Sequence, residues 1–243
     1  MSVERPWLAS YPKNVPAEID VSEFSSIPDV LAQACSEFAA NPAYENMGRV
    51  LSYAQIDALS AQFAAYLLYE LKLKKGDRIA IMLPNVLQYP IAIFGVLRAG
   101  LTVVNTNPMY TTRELKHQLK DSGAEVIVVL DNFAATLAEV LPDTDVKHVI
   151  TTGVGDLLGF PKGNFVNFVL KYLKKAVPDF NIAGAVRFND ALARGAGKTL
   201  PAISISHDDI AFLQYTGGTT GVAKGAMLSH GNLVANMQQA SAW

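Results

Sequence analysis

Four short apolar runs, at 78–83, 102–105, 125–130 and 147–151, recur through the middle of the chain, and helix-patterned segments separate them. The runs are nearly unbroken valine, isoleucine, leucine and alanine rather than alternating apolar and polar. A strand of that kind is apolar on both faces and has to be covered on both. Parallel strands also need crossover connections of a dozen or more residues, usually helices, and the intervening segments have that length. The chain is therefore expected to be α/β, a parallel sheet covered by helices on both faces. The helix-patterned segments agree. In 54–71, Ile56, Leu59, Phe63, Leu67 and Leu71 form one apolar stripe. Thr111-Thr112-Arg113-Glu114 reads as a capping box and Ser122-Gly123 as the stop of the helix it opens. A first helix is predicted over 28–39, a short strand at 51–53, a turn at 75–77 and a further helix over 132–141.

Composition narrows what such a fold can be doing. With 243 residues, half of them hydrophobic, there is material for one large domain or two small ones. The net charge of −2 gives no global attraction to nucleic acid. The single cysteine, Cys35, has no partner for an internal disulfide and lies in an apolar-patterned stretch, so it reads as a buried inert thiol in a reducing, cytoplasmic setting. His117, His148, His207 and His230 lack metal-ligand spacing, which argues against metal held by histidine or cysteine. The most apolar region, 86–104, is interrupted by Pro90, Arg98 and Gly100, and the N-terminus lacks a charged-then-apolar leader pattern. The segment 164–177 puts Phe165, Phe168, Val169, Tyr172, Leu173 and Ala176 on one helical face, with Lys171, Lys174 and Lys175 elsewhere. The simpler reading is a helix covering the sheet; the other is contact with the inner face of the plasma membrane through a basic amphipathic surface. The organisation expected is an arm and first helix over 1–45, the sheet unit over 46–186, a connector over 187–208, poor in large apolar residues, and a strand–loop–helix over 209–243 that opens a further subdomain.

That last segment contains the chemistry. Tyr215, Thr216, Gly217, Gly218, Thr219, Thr220, Gly221, Val222, Ala223, Lys224, Gly225 and Ala226 follow directly on an apolar strand. Glycines let a backbone turn tightly and bring its N–H groups to an anion. Threonine hydroxyls can bind a phosphate oxygen or Mg²⁺, and a lysine adds a mobile positive charge. Together they are suited to a polyphosphate. The pattern is not a Walker A loop, because Lys224 is followed by Gly225 rather than serine or threonine, and it contains no Gly-x-Gly-x-x-Gly. Lys224 and the hydroxyls of Thr216, Thr219 and Thr220 are the first candidates for contact, and Thr216 is a weak neutral candidate for Mg²⁺ that a carboxylate would have to assist. Tyr215 is read either as setting the loop's direction or as a packed core aromatic, and His230 as a capping or packing residue. A helix predicted from Ser229 or His230 would place its N-terminus near the loop.

The stretch 215–226 resembles the phosphate-binding signature of the acyl-adenylate-forming enzymes. Gly218 and Ala223 stand where that family usually has serine and proline, and both recur in its bacterial long-chain fatty acid–CoA ligases. Leu51-Ser52-Tyr53, Leu83-Pro84-Asn85, Leu97-Arg98-Ala99-Gly100, Asn105-Thr106-Asn107-Pro108-Met109-Tyr110 and Trp7-Leu8-Ala9-Ser10-Tyr11-Pro12 are similar to the same subgroup. The resemblance implies ATP, Mg²⁺ and coenzyme A, with a fatty acid as substrate. An acyl-adenylate forms first, and coenzyme A then displaces AMP to give the thioester. It further implies that Thr216 to Gly221, with Lys224 and Gly225, cradle the β- and γ-phosphates, with Lys224 and Thr216 catalytic. The family's metal-binding glutamate, ribose-binding aspartate, adenine pocket and C-terminal lysine come from later motifs. The chain is thus expected to be the N-terminal portion of a longer synthetase, inactive alone and inclined to self-association through an unpaired sheet edge. Three readings remain beside this one: a ligase for another acyl or aryl acid, a non-catalytic nucleotide-binding piece that needs a separate C-terminal half, and, weakest, a Walker-type ATPase or kinase.

Overall fold

The computed structural model describes residues 5–216 and 223–243. In chain order these form α1 (Ile27–Glu37), β1 (Pro42–Asn46), β2 (Arg49–Ser52), α2 (Tyr53–Ala65), β3 (Arg78–Met82), α3 (Gln88–Arg98), β4 (Thr102–Asn105), α4 (Thr112–Ser122), β5 (Val126–Leu130), α5 (Ala134–Val140), β6 (His148–Thr152), α6 (Lys162–Phe168), β7 (Val186–Arg187), α7 (Phe188–Gly195), β8 (Ile210–Thr216), β9 (Lys224–Ser229) and α8 (His230–Ala242). A seven-stranded sheet has the order β7-β6-β5-β3-β4-β8-β9, and β1 and β2 form a separate hairpin.

The continuous apolar runs become the central strands for the reason their composition gave. Along β5 all five residues are buried, and alternate residues feed two different cores. Val126 and Val128 pack with Ile79, Ile81, Val103 and Ile150 beneath α1, α2, α3 and α7. Ile127 and Val129 pack with Ala80, Met82, Val104 and Val149 against Leu115 and Leu119 of α4 and Leu137 of α5. Helices therefore cover both faces. The helix ends also follow the sequence. The Thr111 hydroxyl accepts from the Glu114 amide while the Glu114 carboxylate accepts from the Thr111 amide, closing a capping box. Gly123 ends α4 at φ 61°, in the left-handed region that favours glycine. Gly195 of α7 lies so close to α2 that a Cβ there would stand 1.9 Å from the Gln62 carbonyl oxygen.

The expected parallel sheet covered on both faces is borne out: β3 to β8 pair parallel with one another, and β9 adds an antiparallel pairing to β8. Several finer expectations need correction. Residues 224–229, Lys-Gly-Ala-Met-Leu-Ser, lack any β-branched residue, so no strand was read there. The β1–β2 hairpin extends well beyond the short strand expected at 51–53, turning through Met47 and Gly48 at φ 49° and 73°. The stretch expected to be a connector contains α7, whose Phe188, Ala191 and Leu192 are buried. Finally, α6 and the wide turn Val169–Leu173 that continues it do not cover the sheet with their aromatic face. Phe165 is 67% exposed and Tyr172 60%, whereas Asn167 turns inward, accepting from the Gly155 amide and donating to Asp156.

Candidate functional site

β8 and β9 are the stems of the glycine- and threonine-rich segment. Their register sets Thr216 opposite Lys224, Tyr215 opposite Gly225 and Gln214 opposite Ala226. Of the twelve candidate residues, Gly217, Gly218, Thr219, Thr220, Gly221 and Val222 lie outside the described residues. Thr216 and Lys224 close the ladder from either side, both exposed. They stand at the carboxyl end of β8, the edge of a parallel sheet beyond which open α/β folds bind their ligands.

The expected helix N-terminus is not at that edge. Ser229, the N-cap of α8, pairs with Ile210 at the opposite end of β8. The whole length of β9 separates the two, so the partial positive charge of the α8 terminus acts at the other edge of the sheet, since that effect fades within a turn. The α8 terminus therefore adds no charge at the Thr216 and Lys224 end of the hairpin.

Tyr215 is buried, and its side chain is committed to the protein interior. Its hydroxyl donates to the Asp121 carboxylate at 2.5 Å. Burial, then the acceptance of that hydrogen bond by Asp121, raises the phenol far above its ordinary range, so it stays a proton donor. One face of the ring packs on Gly225, where an added Cβ would come within 2.8 Å of it. The glycine at 225 is thus required by a neighbouring ring, a local reason that a phosphate-cradle reading alone does not give. Ala223 is half-buried, and its carbonyl accepts from the His117 ring Nε2 at 3.1 Å. Ala226 is exposed on β9.

The residues that reasoning from the motif missed are therefore on α4. His117 and Asp121 stand 106 and 94 residues from their partners in the chain. Their four-residue spacing puts them on one helix face, but nothing local ties that face to the loop. A second polar series ends at the same hairpin: Tyr89 donates to Asn105 at 3.1 Å, and Asn105 donates to Gln214 at 2.9 Å. Tyr89 also lines an apolar cavity of about 300 Å³ between β1 and α3, with Tyr44, Val86, Leu87, Ile93 and Phe94. That cavity does not touch Thr216 or Lys224.

The remaining titratable candidates are structural. His230 is buried, accepts from the Ile27 amide through Nδ1, and is pushed down to about 4 by burial, so it joins α8 to α1 as a neutral ring. The Cys35 thiol is buried, raised by that burial, and donates to the Tyr53 carbonyl. Among the described residues no group of three or more histidine, cysteine, aspartate or glutamate side chains could hold a metal ion. No helix among them is long and apolar enough to cross a membrane.

A Gly/Thr/Lys connection between two strands at the carboxyl edge of a mostly parallel sheet places the chain in a defined class. Residues 31–243 match the family model described as AMP-binding enzyme, and the chain belongs to that family. Within it, the chain is 53% identical over 238 residues to a long-chain-fatty-acid–CoA ligase of Haemophilus influenzae, covering 98% of this chain and 42% of that protein. It is 37% identical to the enzyme of the same name from Bacillus subtilis, across 100% of this chain and 43% of the relative. The chain thus spans less than half the length of the curated relatives it matches. Among solved structures, a long-chain-fatty-acid-CoA ligase from Archaeoglobus fulgidus superposes with a TM-score of 0.70 at 24% identity, covering 96% of this chain and 42% of that one. An anthranilate CoA ligase in complex with anthranoyl-AMP superposes at 0.71 and 20% identity, covering 88% and 37%. These two likenesses show the fold.

Proposed function

We propose that this chain supplies the triphosphate-binding hairpin of an AMP-forming long-chain fatty acid–CoA ligase. The observation that carries the reading is the exposed pairing of Thr216 with Lys224 at the carboxyl edge of the sheet, in a chain so similar to ligases of that name. Activation requires a fatty carboxylate to attack the α-phosphorus of ATP and expel pyrophosphate, after which coenzyme A displaces AMP. Two anions must approach each other, and the ammonium of Lys224 and the amides of 217–222 neutralise charge on the β- and γ-phosphates. Thr216 fits Mg²⁺ only as one neutral hydroxyl ligand, which a carboxylate would have to assist. When bound, Mg²⁺ would withdraw charge from the triphosphate; Lys224 does the same from its fixed place on β9. The test is calorimetric titration with Mg-ATP. Lys224→Ala should weaken binding about tenfold or more, the loss expected for a charge-assisted hydrogen bond. Unchanged affinity would remove the reading.

The outward aromatic face of α6 favours a second element of the same reading: the protein works in the cytoplasm, resting on the inner face of the plasma membrane, where a fatty acid partitions. Phe160, Phe165, Phe168, Tyr172 and Leu173 are exposed together, beside Lys162, Lys171, Lys174 and Lys175. Apolar insertion with basic attraction to anionic lipid is the physics of interfacial helices. Vesicles containing phosphatidylglycerol should co-sediment the chain, and Lys171→Glu with Lys174→Glu and Lys175→Glu should abolish it. Equal sedimentation of the triple variant removes the lipid contact. Self-association through β9 is supported by its having β8 as its one strand partner among the described residues and by Met227, 69% exposed; a concentration-independent monomer mass in sedimentation would rule it out.

A further inference from the structure

We propose that α4 positions the phosphate loop by holding both of its stems at once, with His117 and Asp121 as the positioning residues. The two side chains lie one helical turn apart and share a face. Asp121 accepts from the Tyr215 hydroxyl on the β8 side, two residues before Gly217. The His117 Nε2 donates to the Ala223 carbonyl on the β9 side, one residue after Val222. A carbonyl can only accept, so Nε2 carries the hydrogen, in the neutral ring or the imidazolium alike.

The helix that makes these two contacts is itself fixed. Its start is closed by the Thr111–Glu114 box and its end by Gly123. Leu115 and Leu119 are fully buried in the core below the sheet. Gln118 donates to the Asn105 carbonyl at the end of β4, the strand beside β8, and Arg78 of β3 donates to the Ser122 carbonyl. The helix is therefore referenced to the same strands that carry the hairpin. Gly225 lets the Tyr215 ring stand close enough for its hydroxyl to reach Asp121.

This arrangement matters because of what the segment between the stems contains. Three glycines and two threonines occupy 217–222, and glycine loses the most conformational freedom on ordering. Amides stabilise a phosphate well only when they are already aimed at it. Holding both stems from one rigid element sets Tyr215 and Ala223 in fixed places relative to each other, so the two ends of the intervening segment are positioned before any anion arrives. Neither His117 nor Asp121 need touch the nucleotide. The inference rests on the nucleotide-binding reading above.

The test compares Mg-ATP titration with deuterium exchange of the peptide spanning 215–226, in the unmodified chain and in four variants. His117→Ala is expected to weaken Mg-ATP about three- to tenfold, the worth of one neutral hydrogen bond. It should also speed exchange in 215–226 while leaving β3 and β5 unchanged. His117→Gln, whose amide can donate from a similar position, should return both readouts to within about twofold of the unmodified chain. Tyr215→Phe removes a single oxygen from the other arm and should mimic His117→Ala, whereas Asp121→Asn keeps an accepting oxygen and should cost less. The inference is overturned if His117→Ala leaves affinity and exchange unchanged, or if the glutamine variant is as impaired as the alanine one. Should the unmodified chain not bind Mg-ATP, the nucleotide reading fails. The exchange measurement then decides alone: faster exchange in both His117→Ala and Tyr215→Phe supports the two-armed hold, and unchanged exchange removes it.

Discussion

Strands β5 and β9 belong to one sheet and differ in nearly everything that keeps them there. β5 is paired on both sides, by β3 and β6, and sends alternate residues into two cores. Among the described residues β9 is paired with β8 alone, and it leaves Lys224, Ala226 and Met227 exposed. The first is placed by its own composition: five apolar residues have few other places to go. The second is placed by its ladder to β8, by the Tyr215 ring packed on Gly225 and, just before the strand begins, by a histidine from α4 on the Ala223 carbonyl. A strand positioned by burial contributes stability; a strand positioned by a few specific contacts is free to carry chemistry.

The largest effect that could break this contrast is a charge in β5. Val128→Asp buries an unpaired carboxylate beneath the helices, and the chain should fail to fold, lost as a cooperative transition in thermal unfolding. A folded variant with an unchanged melting profile would mean that the two strands are less different than their burial says. Next is Gly225→Ala, which drives a methyl against the Tyr215 ring. Overpacking of this kind costs about 1–3 kcal/mol, and denaturant unfolding should show it alongside weakened Mg-ATP binding; a neutral outcome would mean that the ring moves aside freely.

The base of the hairpin sharpens the comparison through pH. His230 titrates at about 4 in the fold, against an ordinary 6.5. Between those values the unfolded chain binds more protons, so the contribution is present above pH 6.5 and is lost as pH falls toward 4. The melting temperature should drop across that window. His230→Asn keeps an acceptor near Nδ1 without a titrating group, and should flatten that part of the slope; an identical profile would mean that His230 has no share in it. The smallest effect is at the exposed edge, where Met227→Asp should change stability by within about 0.5 kcal/mol, while reducing any concentration-dependent association seen in sedimentation.

What could be read in advance follows the same division. The strands β3, β4, β5 and β6 were legible because a continuous apolar run has one physical solution, and the limits of α4 because Thr111, Glu114 and Gly123 are local signals. β9 was not, since Lys-Gly-Ala-Met-Leu-Ser has neither period nor propensity, and its partner strand fixes it. For α6 the sequence left two orientations open, because periodicity counts apolar residues and does not say what they face. The inward face is instead chosen by Asn167, which satisfies the Gly155 amide and Asp156. At the candidate site, residue type singles out Thr216 and Lys224 as expected contacts, and the ladder of β8 and β9 sets the two opposite each other. His117 and Asp121 were not legible, because no pattern within a window of residues reports a hydrogen bond that spans a hundred of them.

The hairpin's antiparallel turn-back has one more consequence. The chain leaves β8 at Thr216 and returns at Lys224, directly opposite on the neighbouring antiparallel strand. Because β9 lies beyond β8 in the strand order, the inner strands β3, β4, β5 and β6 take none of their pairings from it. What this connection holds can therefore change while the interior stays as it was.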